Sequence, residues 1–323
     1  MDLSSDYLGF RLKHPVMLGA SPLVQDLGKV KQAEDAGVSA IVMNSLFQEQ
    51  IEHERRLEER RAEVNESFGE AQSYLPASSE YLVGPDAYLE QLRKVKEAVD
   101  VPVIGSLNGT TQAGWLDYAR LIEQAGADAL ELNVYTVGSD PSEDCSTIEK
   151  RLVDMVAAVA GKTTLPIAVK LSPSYTGLSR LARELSAAGA KGLVLFNRFY
   201  QPDIDLEKLD VSLKLELSSS SELLSRLGWT ALLSGRVDVS LGVTGGVHTP
   251  DDALKAVMAG AHGVQVVSAV LKNGVGVVTR LVEGLDRWLA EHEYASLEQA
   301  QGSMSLWRSP RPEMYERGNY IRI

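Results

Sequence analysis

The sequence predicts an α/β fold, specifically a TIM (β/α)8 barrel, and the main observation is a segment that occurs four times along the chain. Each copy is a helical pattern that stops at Ala-Gly, followed by a short apolar run that closes on a polar residue; the copies cover 36–44, 125–133, 188–197 and 259–268. Each glycine suits a left-handed helix C-cap. Runs that are apolar at nearly every position are typical of parallel strands buried on both faces.

Four further strand candidates alternate with the repeated segments. Three of them begin at Pro15, Pro102 and Pro166, and the fourth covers about 237–244. Proline is tolerated as the first residue of a strand, where no N–H is needed for the ladder. The glycines of successive Ala-Gly pairs are 89, 63 and 71 residues apart, which leaves room for two β/α units in each interval. Eight alternating strands and helices favour the barrel; a doubly wound open sheet is the alternative, because the pattern does not show closure.

The whole chain, 1–323, is predicted to form a single barrel domain. It carries an inserted lid-like segment at 45–85 after the second strand and a C-terminal tail at 303–323. The insertion contains a charge-dense run at 49–66, which indicates either a solvated helix or a lid over the catalytic face. A second, shorter insertion follows the sixth strand at 198–221. The Arg- and Pro-rich tail is expected to pack on a partner subunit or to fray.

Composition excludes several classes of protein. The 323 residues include 32 Lys+Arg and 44 Asp+Glu, a net charge of −12, which argues against a nucleic acid or an anionic membrane as the main partner. No apolar run approaches the ~20 residues of a membrane span, and no signal peptide is visible, so we expect a cytoplasmic protein. The single cysteine, Cys145, excludes an intramolecular disulfide. No set of residues has the spacing of metal ligands, and no metal is expected.

Polar side chains stand where the predicted strands end, the position at which barrels build their sites. They include Asn44, Asn133, Asn197 and Lys170. Amides with one ammonium suit a polar heterocycle with electron-rich oxygens. Lys170 interrupts an apolar strand, so its burial requires a partner. It either reaches past the strand end into water, or faces the barrel mouth as a cation, or forms a Schiff base as in a barrel lyase or aldolase.

A diglycine follows the seventh predicted strand. Gly245 and Gly246 allow the backbone to approach an anion closely, and Thr249-Pro250-Asp251-Asp252 is typical of a helix start. Barrels commonly hold phosphate in the loops after strands seven and eight. Together with Val267-Ser268 at the end of the eighth strand, the diglycine predicts a phosphate site.

These motifs, taken in order, resemble the class 1 dihydroorotate dehydrogenases. The similarity is carried by Leu132-Asn133, Ala168-Val-Lys170-Leu-Ser-Pro173, Gly192-Leu-Val-Leu-Phe-Asn197, Thr244-Gly245-Gly246 and Gly263-Val-Gln265-Val-Val-Ser268. The resemblance implies an FMN cofactor. Gly19, Ala20 and Ser21 would border the flavin, Ser106 and Asn133 would hydrogen-bond its ring system, and Lys170 would lie by its N1/O2 edge. The phosphate would be held by backbone amides of Gly245, Gly246, Val267 and Ser268.

The substrate half departs from that family's pattern. Asn44 stands where the family has a lysine, and 79–84 replaces an asparagine-containing loop. Thr136 stands at the catalytic cysteine, and Arg198 follows Asn197 in place of a serine or threonine. Cys145, nine residues after Thr136, is not assigned the missing role. A threonine hydroxyl is a weak general base without a helper.

The resemblance therefore implies an FMN-dependent oxidoreductase that transfers hydride from dihydroorotate, or a related small molecule, to flavin N5, as in pyrimidine biosynthesis. Thr136 or Tyr135 would accept the proton, Lys170 would stabilise the reduced flavin, and Asn44, Asn133, Asn197 and Arg198 would bind the substrate. The alternatives are a barrel lyase or aldolase that uses Lys170, and a non-catalytic flavin-binding subunit. A homodimer and an electron-transfer partner are further expectations.

Overall fold

The computed structural model describes residues 1–47, 49–51, 84–109, 112–134, 138–198, 201–214 and 216–316. Its strands are β1 (Ser5–Tyr7), β2 (Phe10–Leu12), β3 (Val16–Leu18), β4 (Ile41–Val42), β5 (Leu46–Phe47), β6 (Val103–Gly109), β7 (Ala129–Val134), β8 (Ile167–Leu171), β9 (Gly192–Leu195), β10 (Gln201–Asp205), β11 (Asp210–Lys214), β12 (Ser240–Thr244) and β13 (Gly263–Val266). Its helices are α1 (Leu27–Asp35), α2 (Pro85–Ala98), α3 (Gln112–Gln124), α4 (Cys145–Ala160), α5 (Leu178–Ala187), α6 (Leu223–Leu233), α7 (Pro250–Ala259), α8 (Ser268–Asn273), α9 (Val277–Glu291) and α10 (Leu297–Ala300).

Eight parallel strands close into a barrel. The ring runs β3-β4-β6-β7-β8-β9-β12-β13 and returns to β3, and the pairing of β4 with β6 completes it. The predicted (β/α)8 barrel is thus confirmed, and the open doubly wound sheet is excluded. Helices cover the outside of the barrel, and most of the core lies between them and the strands.

The repeated segments form the predicted helix-to-strand connections. The glycines that end their helical patterns, Gly37, Gly126, Gly189 and Gly260, all have positive φ, between 93° and 122°, a region in which a Cβ would be strained. Four strand starts differ from expectation. The strands predicted at Pro15, Pro102 and Pro166 begin one residue later, since proline has no N–H to pair. The strand predicted at 237–244 begins only at Ser240, where its pairing with β9 starts.

A hairpin closes the amino-terminal end of the barrel. Strands β1 and β2 pair antiparallel, and three side chains from this hairpin, Tyr7, Leu8 and Leu12, are buried against the inward-facing residues of the barrel strands. Those strand residues are small or apolar, including Met17, Val42, Ile104, Ala129, Ala168 and Val194. The lower interior is therefore a packed apolar plug, and the polar inward-facing residues lie at the opposite, carboxyl end.

The insertions are described only in part. Of the predicted lid at 45–85, residues 48 and 52–83 lie outside the described residues. The insertion after the sixth strand contains the two-stranded ribbon β10–β11. The tail packs on the barrel at Leu306, whose N–H donates to the Ala231 carbonyl at 3.0 Å; residues 317–323 are outside the described part. Within the described ranges, no helix is long and apolar enough to cross a membrane.

Candidate active site

The carboxyl ends of three strands bring a set of hydroxyls and an amide together. The Asn133 Nδ2 donates to the Ser45 Oγ at 2.8 Å, and the Ser45 and Ser106 hydroxyl oxygens are 2.9 Å apart. The register places Asn108 beside Asn133 and Asn133 beside Lys170, so these side chains share one level of the barrel. The convergence predicted for Ser106, Asn133 and Lys170 thus follows from the pairing of neighbouring parallel strands.

Tyr88 of α2 supports this group from outside the barrel. Its hydroxyl donates to the Ser106 carbonyl at 3.1 Å and accepts from the Ser106 N–H at 2.9 Å. Burial raises the pKa of Tyr88 well above its ordinary value. The hydroxyl therefore stays protonated and able to donate, which holds the backbone at Ser106 in place.

Lys170 lies inside the barrel, on the strand next to Asn133 and paired with it in register. It is 5% exposed, and its Nζ is 3.0 Å from the Glu131 Oε1 and 3.3 Å from the Gln265 Oε1. The Gln265 Nε2 in turn donates to the Glu131 Oε2 at 2.5 Å. This triad of Glu131, Lys170 and Gln265 supplies the partner that a buried lysine requires.

The diglycine forms a tight, left-handed turn after β12. Gly245 and Gly246 have φ of +84° and +85°. A Cβ at Gly246 would come within 2.4 Å of the Leu223 backbone nitrogen, and one at Gly245 within 3.0 Å of the Arg226 guanidinium. The Arg226 Nε donates to the Thr244 carbonyl at 2.6 Å. Only glycines fit this turn, because α6 begins directly against it.

Ser218 links the diglycine to the end of the eighth strand. Its Oγ accepts from the Gly246 N–H at 3.2 Å and lies 3.0 Å from the His248 Nε2, while its N–H donates to the Ser268 Oγ at 3.1 Å. The Lys272 Nζ donates to the Ser218 carbonyl at 2.8 Å. Burial, together with the nearby Lys272, lowers the pKa of His248. The residues predicted to hold phosphate are thus assembled in one place.

Among the buried polar atoms that have no hydrogen-bond partner within the described part of the chain, two belong to residues predicted to contact the flavin. They are the Ser21 Oγ and the Asn133 Oδ1. Buried polar atoms are normally paired, so atoms left without partners indicate a place for a polar ligand. Together with the diglycine turn, this donor set fits a flavin mononucleotide: hydroxyl and amide groups for a polar ring, and backbone N–H groups for a phosphate. The described residues contain no cluster of potential metal ligands.

Apart from Asn133, the predicted substrate residues lie at the rim, and one of these is already engaged. Asn44 and Asn197 are half-buried at the ends of their strands. Arg198 forms a bidentate pair with Glu222, with Nε–Oε2 and Nη2–Oε1 distances of 2.9 and 3.1 Å, and it also donates to the Glu216 carbonyl. A substrate carboxylate would have to compete with Glu222 for this guanidinium, so the role assigned to Arg198 stays a prediction.

Thr136 and Tyr135, the predicted proton acceptors, lie outside the described residues, as does 79–83 of the predicted substrate loop. Cys145 is the first residue of α4 and is exposed. No structural observation therefore tests the assignment of the base.

The sequence reasoning missed several residues of this site. Glu131 and Gln265 are polar residues in otherwise apolar strands, which is the same signal that identified Lys170. The contacts among these three side chains could therefore have been predicted. Ser218 and Arg226 had no comparable signal: they belong to a loop and a helix that only the fold brings to the diglycine.

Comparisons with known proteins identify the family. A family model described as dihydroorotate dehydrogenase matches residues 82–289, more than half of the chain. The catalytic subunit of dihydroorotate dehydrogenase B (NAD(+)) from Thermoplasma acidophilum is 25% identical, with 93% of this chain and 98% of that protein covered. The corresponding subunit from Pyrococcus abyssi is 27% identical, with coverage of 93% and 98%. The NAD-dependent dihydropyrimidine dehydrogenase subunit PreA of Escherichia coli K12 is 25% identical, with coverage of 93% and 76%.

The family match spans the strands that carry Asn133, Lys170 and the diglycine, and the activity class predicted from the sequence is confirmed. The chain belongs to the dihydroorotate dehydrogenase family and is a flavin-dependent oxidoreductase.

Proposed function

We propose that this protein binds FMN and oxidises a CH–CH bond of dihydroorotate or a closely related reduced pyrimidine. The observation that carries the proposal is the coincidence, at one end of the barrel, of the diglycine turn with the unpartnered polar atoms of Ser21 and Asn133. When bound, FMN would supply the hydride acceptor, and these residues would hold it.

The chain's residues divide between the two ends of the cofactor. The backbone N–H groups of Gly245, Val267 and Ser268 would hold the phosphate, joined by that of Gly246 once it exchanges the Ser218 Oγ for the phosphate. Gly19, Ala20 and Ser21 would border the ring. Ser106 and Asn133 would hydrogen-bond the ring, and Lys170 would place its ammonium near the N1/O2 edge. A fixed cation there stabilises negative charge that develops on reduction.

Substrate binding would fall to amides at the carboxyl ends of the strands. Asn44, Asn133 and Asn197 can each donate to and accept from the edge of a pyrimidine, and Arg198 would contribute if a carboxylate displaces Glu222. Thr136 would accept the proton lost from the substrate carbon, with Tyr135 as the second candidate. Relatives named as dihydroorotate and dihydropyrimidine dehydrogenases make both reduced rings reasonable substrates.

The lyase or aldolase alternative is not supported by the surroundings of Lys170. A Schiff-base lysine must reach its neutral form to attack a carbonyl. Lys170 is instead paired with a buried carboxylate at 3.0 Å, which favours the ammonium.

The first experiment is the visible spectrum of the purified protein with FMN, followed by anaerobic addition of dihydroorotate and, separately, dihydrouracil. We expect a bound-flavin spectrum that bleaches with one of them, because the proposed flavin site lies beside amides that can pair with the edge of a pyrimidine. Cys145→Ser, at the exposed start of α4, is the matched control and should bleach as the wild type does.

Absence of FMN binding would reject the proposal. A bound flavin that stays oxidised with every reduced pyrimidine would instead favour the non-catalytic flavin-binding subunit.

We further propose that the chain passes its electrons to a second protein. Relatives in the family are named as subunits, and Cys145 alone cannot ligate a four-cysteine iron–sulfur cluster.

We also propose that the chain forms a homodimer through the ribbon β10–β11. Ile204 and Val211 pair across the ribbon on one face and are 66% and 65% exposed. Leu206 and Leu209 at its turn are still more exposed. An isolated two-stranded ribbon with a bare apolar face has marginal stability in water, and a second copy would cover it.

The prediction is that the purified chain sediments as a dimer and that Ile204→Asp/Val211→Asp sediments as a monomer, because the two carboxylates would be buried in the interface. Ser212→Lys adds a charge to the opposite face of the same strand, across from Asp203, and should remain dimeric. A monomeric wild type, or a dimeric double variant, would contradict this assignment.

A further inference from the structure

The triad of Glu131, Lys170 and Gln265 crosses the interior of the barrel. Glu131 and Lys170 come from the neighbouring strands β7 and β8, whereas Gln265 comes from β13 on the far side of the ring. All three are nearly inaccessible, at 0%, 5% and 1% exposure. The triad forms a polar layer between the apolar plug below and the site above.

The hydrogen bonds of the triad depend on a carboxylate at position 131. Its Oε1 accepts from Lys170 and its Oε2 accepts from Gln265, while the Gln265 Oε1 accepts from Lys170. An amide at 131 would turn one acceptor into a donor and face it toward the Gln265 Nε2. Gln265 would then have to rotate its own donor toward the ammonium, so no arrangement would satisfy all groups.

The charge of Glu131 also affects a neighbouring side chain, Tyr7. Burial and, next, the Glu131 carboxylate raise the pKa of Tyr7 far above its ordinary value. Among the described residues, Glu131 is the only carboxylate bonded to Lys170. A buried ammonium that loses its counterion either shifts position or releases its proton.

We propose that Glu131 is a positioning residue that holds the Lys170 ammonium charged and in place, and thereby raises the reduction potential of the bound flavin. The inference rests on the proposed function, in which Lys170 lies by the N1/O2 edge of FMN. It runs against simple electrostatics, because a negative charge near a flavin should by itself lower the potential.

The direct effect of the Glu131 charge and its effect through Lys170 would therefore change the potential in opposite directions, and the sign of the change distinguishes them. The experiment measures the two-electron midpoint potential of FMN bound to the wild type, Lys170→Met and Glu131→Gln. We expect the midpoint potential to fall in both variants. In Glu131→Gln the equilibrium constant should change by roughly tenfold or more, which corresponds to about 30 mV for a two-electron couple. In Lys170→Met the potential should fall further, because the Glu131 carboxylate stays without its counterion. A rise in Glu131→Gln would mean that Lys170 is charged and placed without Glu131, and would overturn the inference.

An exchange variant keeps the test decisive if Glu131→Gln does not fold. Glu131→Gln/Gln265→Glu moves the carboxylate to the other side of Lys170, since the side-chain oxygen at 265 is already 3.3 Å from the Nζ. In this variant the midpoint potential should recover, so that the equilibrium constant for flavin reduction lies within about twofold of the wild-type value. A potential as low as that of Lys170→Met would contradict the proposal.

A matched control removes a carboxylate–lysine pair outside the barrel interior. Asp128 contacts the Lys96 Nζ at 2.6 Å just before β7, and Asp128→Asn should leave the potential unchanged. A wild type that binds no FMN would reject both the proposed function and this inference. A flavin-loaded wild type with the wrong sign in Glu131→Gln would reject the inference alone.

Discussion

Gly246→Ala is expected to weaken FMN binding by at least about 100-fold, which corresponds to roughly 2.8 kcal/mol. The new Cβ would lie 2.4 Å from the Leu223 nitrogen and 2.8 Å from its Cα. These are backbone atoms, so relief requires a shift of the turn that begins α6. The φ of +85° adds a further cost for any residue with a Cβ. The measurement is a fluorescence titration of FMN with the flavin-free protein.

Gly228→Ala is the control for this variant. Gly228 lies inside α6, and a Cβ there would meet no atom within 4 Å. Because the new Cβ contacts nothing, this variant should bind FMN as the wild type does. Alanine in a helix interior is more favourable than glycine by about 0.5–1 kcal/mol, so it should also unfold at a slightly higher urea concentration. If Gly246→Ala bound FMN within threefold of the wild type, the diglycine would not be the phosphate cradle.

Lys170→Met is expected to destabilise the flavin-free protein by about 3–5 kcal/mol, the usual cost of removing one partner from a buried ion pair. The Glu131 side chain is 1% exposed, and without the ammonium its carboxylate would have only the Gln265 amide as a hydrogen-bonded donor in the triad. The measurement is urea unfolding without FMN, which separates this loss from any change in cofactor binding.

The double variant Lys170→Met/Glu131→Gln tests the reason for that loss. It removes the unpaired charge and leaves two amides, at 131 and 265, that can hydrogen-bond each other. We expect it to recover at least half of the lost free energy of unfolding. If Lys170→Met lowered the free energy of unfolding by less than about 1 kcal/mol, the pair of Lys170 and Glu131 would not be a structural element of the barrel.

The repeated segments predicted the barrel because the conformation of a helix end and the burial of a strand each restrict which residues can occur there. A helix that ends in a left-handed residue needs glycine, and Gly37, Gly126, Gly189 and Gly260 all adopt that conformation. A parallel strand between helices and a barrel interior must be apolar on nearly every position. Both requirements are met within a few residues of sequence, so they are visible without the fold.

The residues of the site that could be predicted are those whose position follows from the sequence around them. Asn133, Lys170 and the diglycine stand at strand ends, and a barrel gathers strand ends at one rim. The partner of Lys170 was within reach of the same reasoning, since Glu131 interrupts an apolar strand as Lys170 does. The contact of Arg198 with Glu222 was not, because it joins residues 24 positions apart through the loop after the sixth strand.

The sequence by itself determined the fold class, the diglycine turn and the position of Lys170 at a strand end, because each depends on backbone conformation or polarity along a short stretch of chain. Closure of the ring, the triad across its interior and the attachment of Ser218 and Arg226 to the diglycine were decided only by the tertiary structure. These contacts join strands β7, β8 and β13, and loops up to 50 residues apart in the case of Ser218 and Ser268. Their partners are selected by distance in space, which local patterns of polarity do not encode.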